Sequence, residues 1–161
     1  MESGAITMPD VVDRSTRSRM MRAIKGRDTH PELALRKYLH AQGYRFRLHR
    51  KDLPGSPDLV LPRHHLAIFV HGCFWHRHEG CRYATTPSTR QEFWQRKFVA
   101  NVARDAAVRR RLLEDGWRVA TVWECALRKP DQITASTERL SAWLQSDEHK
   151  IEIGTEDSQS P

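Results

Sequence analysis

Apolar residues recur along the chain in two periods, and each period marks a different element. From Thr29 the residues Leu33, Leu35, Tyr38 and Leu39 fall at helical spacing and stop at Gly43. Thr29 and Glu32 have the spacing of a capping box, Pro31 sits early in the helix, and Gly43 is of the C′ type. Tyr44, Phe46 and Leu48 then alternate with Arg45, Arg47 and His49, which predicts a strand with one apolar and one basic face. After a KDLPGS turn, residues 57–61 (PDLVL) read as a short buried strand that opens on a carboxylate. Residues 62–65 turn the chain, and 66–70 (LAIFV) form the second strand of a hairpin, which sets Asp58 beside Val70 and His71. Residues 90–115 predict a long helix with room for one break, carrying Phe93, Trp94, Phe98, Val102, Ala106, Leu112 and Leu113 near one face. Its other face is basic. Residues 117–123 (WRVATVW) predict a central strand, and a last helix starts near Asp131 and carries Ile133, Leu140, Trp143 and Leu144.

The ends lack such patterning. Residues 1–14 are expected to be disordered, 15–27 to form a basic helical arm, and 146–161 to be a disordered polar tail, which leaves 15–145 as a single domain. On the arm, Met21 and Ile24 allow two readings: a small docking face on a solvated helix, or a wedge into a DNA groove. The element order predicts an α/β fold with a central mixed sheet and helices on both sides.

Charge changes the picture. The 161 residues carry 27 Lys and Arg against 20 Asp and Glu, a net charge of +7. A basic excess of this size favours a polyanionic partner, nucleic acid first and an acidic membrane surface second. Residues 66–70 form the longest unbroken apolar run, far short of the roughly 20 residues of a spanning helix. The N-terminus shows no apolar signal-peptide core, and three cysteines at metal-like spacing suit a reducing cytoplasm better than a disulfide framework.

Residues 71–81 (HGCFWHRHEGC) concentrate the candidate chemistry. Cys73, His78 and Cys81 are close enough to aim at one ion from a single loop, and Cys125 completes a tetrahedral set of three cysteines and one histidine for zinc. The plainer alternative is small apolar cysteines among loop histidines. Asp58 and the backbone carbonyl of Val70 are candidate oxygen ligands for magnesium, which acts on phosphoryl and leaving oxygens in phosphodiester cleavage. His76 is the candidate general base, since an imidazole titrates near neutral pH, and His71 would orient it or share its charge. Glu32 is either a cap alone or a further carboxylate facing the metal.

Several strings carry a family resemblance: Arg17-Ser18, Met21-Arg22-Ala23-Ile24, Arg27-Asp28-Thr29 and Glu32; Leu53-Pro54-Gly55-x-Pro57-Asp58; HGCFWH over 71–76; Glu92-Phe93-Trp94, Lys97, Asn101 and Arg104-Asp105; and VWECALR over 122–128. The chain resembles the very short patch repair (Vsr-type) DNA mismatch endonucleases over about residues 8–130. The resemblance implies a restriction-endonuclease-like three-layer core with a structural zinc site. It implies a magnesium-dependent enzyme that nicks one strand of double-stranded DNA 5′ to the thymine of a T:G mismatch left by deamination of 5-methylcytosine. Asp58 and the Val70 carbonyl would bind magnesium, with Glu32 acting through water on the ion, His76 as acid/base and His71 assisting. Cys73, His78, Cys81 and Cys125 would bind zinc. Phe74, Trp75 and Trp94 would enter the duplex from the major-groove side and Met21 and Ile24 from the other groove, while Lys97 and Asn101 help read the mismatch. A monomer in the bacterial cytoplasm, associated with the nucleoid and with accessory mismatch-repair proteins, is also implied. Three departures stand out: Val70 occupies a position where the family has a hydroxylated residue, Glu79-Gly80 makes the step to Cys81 one residue longer, and the usual acidic-x-lysine half of the nuclease signature is absent, so catalysis would lean on histidine. Two rival readings stay open, a site-specific nuclease without mismatch preference and a non-catalytic zinc-stabilised DNA-binding module.

Overall fold

The computed structural model describes residues 28–155. The expected disordered N-terminus and basic arm, with Met21 and Ile24, lie outside the described residues. Helix α1 (His30–Ala41) starts at Thr29, whose side chain accepts the Glu32 N–H. The Glu32 carboxylate reaches back to the N–H of Asp28 rather than of Thr29, a variant of the expected capping box. Gly43, at φ +94°, takes the left-handed turn that ends the helix.

Five strands form one sheet in the order β1 (Arg47–Leu48), β2 (Leu59–Leu61), β3 (Leu66–His71), β4 (Arg118–Trp123) and β5 (Lys150–Ile153). The β1–β2 and β2–β3 pairs are antiparallel, whereas β3–β4 and β4–β5 are parallel. The sheet is therefore mixed. Helix α2 (Gln91–Glu114) crosses from β3 to β4, and helix α3 (Pro130–Leu144) crosses from β4 to β5. Side chains alternate across β3 and β4, so the two faces have separate cores. Leu66, Ile68, Ala120 and Val122 pack with Leu35 and Leu39 of α1 and Leu140 and Trp143 of α3. Ala67, Phe69 and Val119 pack with Val108, Leu112 and Leu113 of α2. Burying each such leucine contributes roughly 1.5–3 kcal/mol.

Three expectations need correction. The tail is not wholly disordered: β5 lies within it, pairs with β4 from Val119↔Lys150 to Val122↔Ile153, and buries Ile153. Its two isoleucines alternate with Lys150 and Glu152, a half-buried edge pattern that the acidic surroundings hide. The strand foreseen at 44–48 shrinks to Arg47 and Leu48, while Tyr44 and Phe46 pack on the core from the preceding loop. Helix α2 is unbroken, yet only Phe98 and Leu112 on it are buried, and Val102 is 46% exposed. Its second half lies on the sheet, whereas its first half projects beyond and meets the loop after β3.

Gly55 wedges the turn before Asp58 against α2. It sits at φ +73°, and a Cβ there would lie 2.5 Å from Val108 Cγ1. Both strain and collision oppose any side chain. Gly55→Ala should lower stability by about 2 kcal/mol in urea unfolding; a loss under ~0.5 kcal/mol would show that the turn yields freely.

Candidate active site and metal centre

Asp58 stands one residue before β2, across from Val70 on β3. The Val70 N–H donates to Asp58 Oδ2 at 2.7 Å. Burial pushes the Asp58 carboxyl up to about 6; the Val70 N–H, His49 and His76 pull the other way, and Glu32 adds to the rise. A carboxylate taken from water without a cation beside it is the condition a bound metal ion relieves. Asp58 opens on a cleft of about 980 Å³ that Glu32, His49, Val70, His71 and His76 also line. Asp58 and Val70 thus fit a hard cation by donor type, with the Glu32 carboxylate on the same wall.

His76 lies in the loop after β3. Its Nδ1 donates to Asp105 Oδ2 at 2.6 Å, and its ring stacks on His71 with centroids 3.8 Å apart and planes 6° from parallel. The bond to Asp105 selects the tautomer protonated at Nδ1, which leaves Nε2 as the acceptor. Burial, and then the neighbouring His76, hold the His71 imidazole down at about 3. His71 is therefore held as a neutral ring stacked on His76. Of the two expectations for His71, orienting His76 suits a neutral ring, whereas sharing its charge does not.

Glu32 is 2% exposed and has partners on both oxygens. Oε2 accepts from Asp28 N–H at 3.0 Å and from an Arg36 NH2 at 3.1 Å, and Oε1 accepts from the Thr29 hydroxyl at 3.3 Å. Arg36 also meets Asp28 at 2.7 Å and His49 at 2.9 Å. The guanidinium thus closes the triad of Asp28, Glu32 and His49 and fixes the Glu32 side chain.

The loop after β3 also brings Cys73, His78 and Cys81 to Cys125, which follows β4. One ligand atom from each lies within 4.8 Å of all the others. His78 Nδ1 is 3.7 Å from Cys73 Sγ and 3.5 Å from Cys125 Sγ. Zinc bonds of ~2.0–2.3 Å in a tetrahedron require an N···S separation of about 3.6 Å. The four residues therefore fit a zinc ion by donor chemistry and by spacing. Gly80, at φ +71°, takes up the longer step to Cys81 in a left-handed turn. Cys125 is drawn down and Cys73 pushed up because the two thiols share a hydrogen bond, with burial also raising Cys73.

Phe74 and Trp75 form a cluster with Trp94 and Phe98 of α2, at centroid separations of 5.0 to 5.8 Å, in which Phe74 meets the other three rings edge to face. Arg77 braces it from below. Its guanidinium lies 4.0 Å from the Phe98 ring centroid and donates to the carbonyls of Phe74, Ala84 and Thr85 and to the Thr86 hydroxyl. Lys97 lies 5.4 Å from the Trp75 ring, and Asn101 donates to the Trp75 carbonyl at 3.1 Å.

Asp105, His49 and Arg36 are site residues that the sequence reading did not assign. A signal for Asp105 existed. Lys97, Asn101, Asp105 and Arg109 recur every fourth residue, one polar stripe on α2. That stripe meets Trp75, then His76, with Arg109 near enough to His71 to act on its charge.

Comparison with known proteins gives consistent matches. The family DNA mismatch endonuclease Vsr matches residues 9–82. The chain is 50% identical over 120 residues to the type II nicking enzyme V.XorIIP of Xanthomonas oryzae, covering 74% of this chain and 88% of that one. It is 47% identical over 151 residues to the DNA mismatch endonuclease Vsr of Escherichia coli, covering 92% and 96%. It is 38% identical over 121 residues to the type II nicking enzyme V.NmeAIP of Neisseria meningitidis, covering 75% and 86%.

The buried carboxyl of Asp58 has a pH signature. Its folded value of about 6 exceeds the ordinary 3.8, so without metal its contribution is fully present below pH ~4 and is lost as pH rises through 6. Asp58→Asn should therefore stabilise the metal-free protein at pH 7.5, by up to roughly 3 kcal/mol, and the gain should vanish near pH 3.5. Melting curves across pH test this; an equal gain at both ends would assign the effect to something other than the carboxyl.

Proposed function

Because the chain belongs to the Vsr family of DNA mismatch endonucleases, we propose that it nicks one strand of double-stranded DNA, with magnesium, on the 5′ side of the thymine in a T:G mismatch produced by deamination of 5-methylcytosine. The observation that carries this reading is one cleft holding Asp58 beside an imidazole, His76, that a carboxylate orients. A binding module needs neither. We read the α/β/α layering about the mixed sheet as the restriction-endonuclease-like core.

Magnesium held by Asp58 and the Val70 carbonyl would neutralise charge on the phosphoryl and leaving oxygens. His76 Nε2 takes a proton from the attacking water. Asp105 holds the reactive tautomer and stabilises the imidazolium that results, the role an aspartate plays behind any catalytic histidine. His71, neutral and parallel, keeps the His76 ring in plane. Glu32, fixed by Arg36, keeps the wall negative and favours a cation at Asp58. Zinc on Cys73, His78, Cys81 and Cys125 would tie the catalytic loop to the end of β4.

On the DNA side, Phe74, Trp75 and Trp94 form the wedge. Unstacking a base step costs a few kcal/mol, and least at a mismatch, so insertion itself discriminates. One Asn101 N–H is committed to Trp75, which leaves its amide oxygen and second N–H for a base edge. Lys97 stands exposed beside Trp75, placed for the same pair. Met21 and Ile24 would approach from the opposite groove. Exposed Arg96, Arg104, Arg110 and Arg111 on α2 suit backbone phosphates. A monomer at the bacterial nucleoid, with accessory mismatch-repair proteins as partners, completes this reading. Among the described residues no helix is long and apolar enough to cross a membrane.

One observation favours a second reading. Two of the relatives above carry names that specify nicking and no mismatch, so a site-specific nicking enzyme acting on paired DNA is the alternative.

Wild-type protein with magnesium should nick a T:G duplex at least a hundredfold faster than the T:A and C:G duplexes of the same sequence. Asp58→Ala should bind the T:G duplex normally and nick it more than a thousandfold more slowly. Equal rates on paired and mispaired DNA would select the second reading, and nicking by Asp58→Ala would remove Asp58 from the chemistry. Metal analysis of purified protein should find about one zinc per chain, and Cys125→Ala should melt at lower temperature; an unchanged melting curve would exclude that ligand.

A further inference from the structure

Strand β5 is short, lies at the sheet edge and ends midway through a tail with few apolar residues, a poor candidate for stable docking. Ile153 is its one fully buried side chain and Ile151 is partly buried. Its far end makes contacts of another kind. A Cβ on Gly154 would lie 2.7 Å from His78 Cε1, 2.8 Å from His78 Nε2 and 3.6 Å from Trp123 Cδ1. The backbone at Gly154 therefore rests directly against the His78 ring, which stacks on Trp123 at 4.3 Å with planes 8° apart. The next residue, Thr155, hydrogen-bonds to Cys125 through both its hydroxyl and its backbone. Two consecutive residues thus each touch one member of the three-cysteine, one-histidine set.

We propose that the end of β5 is a lid on this metal centre, in which Gly154 and Thr155 are positioning residues for His78 and Cys125, so that ion occupancy and docking of β5 are linked. The proposal rests on the reading of the centre as a zinc site. An ion that fixes the His78 ring and the Cys125 sulfur also fixes the surface on which residues 154 and 155 dock. By reciprocity, a docked strand holds both ligands in place and raises affinity for the ion. Hydrogen-bond donors to a thiolate orient it and offset its charge. Partners of this kind commonly change metal affinity by 10- to 100-fold.

The test uses the full chain with zinc as the probe. Hydrogen exchange is followed in peptides spanning 150–155 and 66–71, before and after the zinc is removed by a chelator. Zinc affinity is measured by chelator competition for wild type, Gly154→Ala, Thr155→Val and Thr155→Ser. Removal of zinc should speed exchange in 150–155 at least tenfold and leave 66–71 within about twofold. Gly154→Ala and Thr155→Val should each weaken zinc binding roughly tenfold, and Thr155→Ser should restore it. A purely structural role for Thr155 would lower the melting temperature and leave zinc affinity alone. Should Gly154→Ala fail to fold, the wild-type exchange and Thr155→Val still decide. Unchanged protection of 150–155 in the zinc-free chain, protection lost uniformly over the sheet, or wild-type affinity in Thr155→Val would overturn the lid. A chain that takes up no zinc would overturn the zinc reading itself, whereas a chain that binds zinc with an indifferent β5 would overturn the lid alone.

Discussion

Parallel pairing of β3 with β4 is the constraint on which the rest hangs. Its register runs from Leu66↔Arg118 to His71↔Trp123. Alternate residues of both strands pack into two different cores, so a slip of one residue would put each side chain in the wrong core and misfit its neighbours. The register sets the ends of the two strands side by side. One chain leaves β3 into the loop of His76 and Cys73, and the other leaves β4 into Cys125. The placement of His76 and of the cysteine–histidine cluster therefore follows from hydrophobic strand pairing. The site lies at the carboxyl ends of the parallel pair, where open α/β sheets place their ligands.

Charge is handled differently on the two sides of the cleft. On the α1 side, Arg36 pairs with both Asp28 and Glu32 and touches His49, so the buried Glu32 carboxylate has a cation beside it although the group as a whole stays acidic. At Asp58 the pairing is withheld: among the described residues one backbone N–H is the carboxylate's only hydrogen bond. The fold thus spends stability on a carboxyl that a cation would satisfy, while the surrounding network stays closed. Across the cleft, Asp105 serves His76 and leaves Asp58 alone. Two aspartates of the same chemistry have separate duties because one faces a ring nitrogen and the other a main-chain donor.

Much of this was legible in the sequence, for reasons that differ by residue. The hairpin was visible because 57–61 and 66–70 are short apolar runs around a Pro-Arg-His-His turn, and that hairpin carries Asp58 to Val70. The clustering of Cys73, His78, Cys81 and Cys125 could be anticipated because soft ligands are rare and their spacing is tight. The strand β5 was hidden, since two isoleucines among acidic residues look like a solvated tail and only the sheet edge supplies their partner. Asp105 was hidden because an acidic residue on a basic helix reads as solvated until its stripe is seen to face the loop. The half-buried face of α2 was overread, because helical periodicity reports which residues share a side and says nothing of where the sheet beneath ends.

Arg77 gives the aromatic wedge a property of its own. At φ +55° it holds a left-handed backbone, and its guanidinium ties four groups of the surrounding loop while lying on Phe98. The loop that carries Phe74 and Trp75 is thereby stiff before any duplex arrives. In the proposed complex the work of distortion falls on the nucleic acid, not on the protein. A rigid tool presents the same demand to every base step, so the response varies only with how readily each step opens. Selectivity of that sort resides in the compliance of the partner, and a looser loop would blur it even with every contacting ring retained.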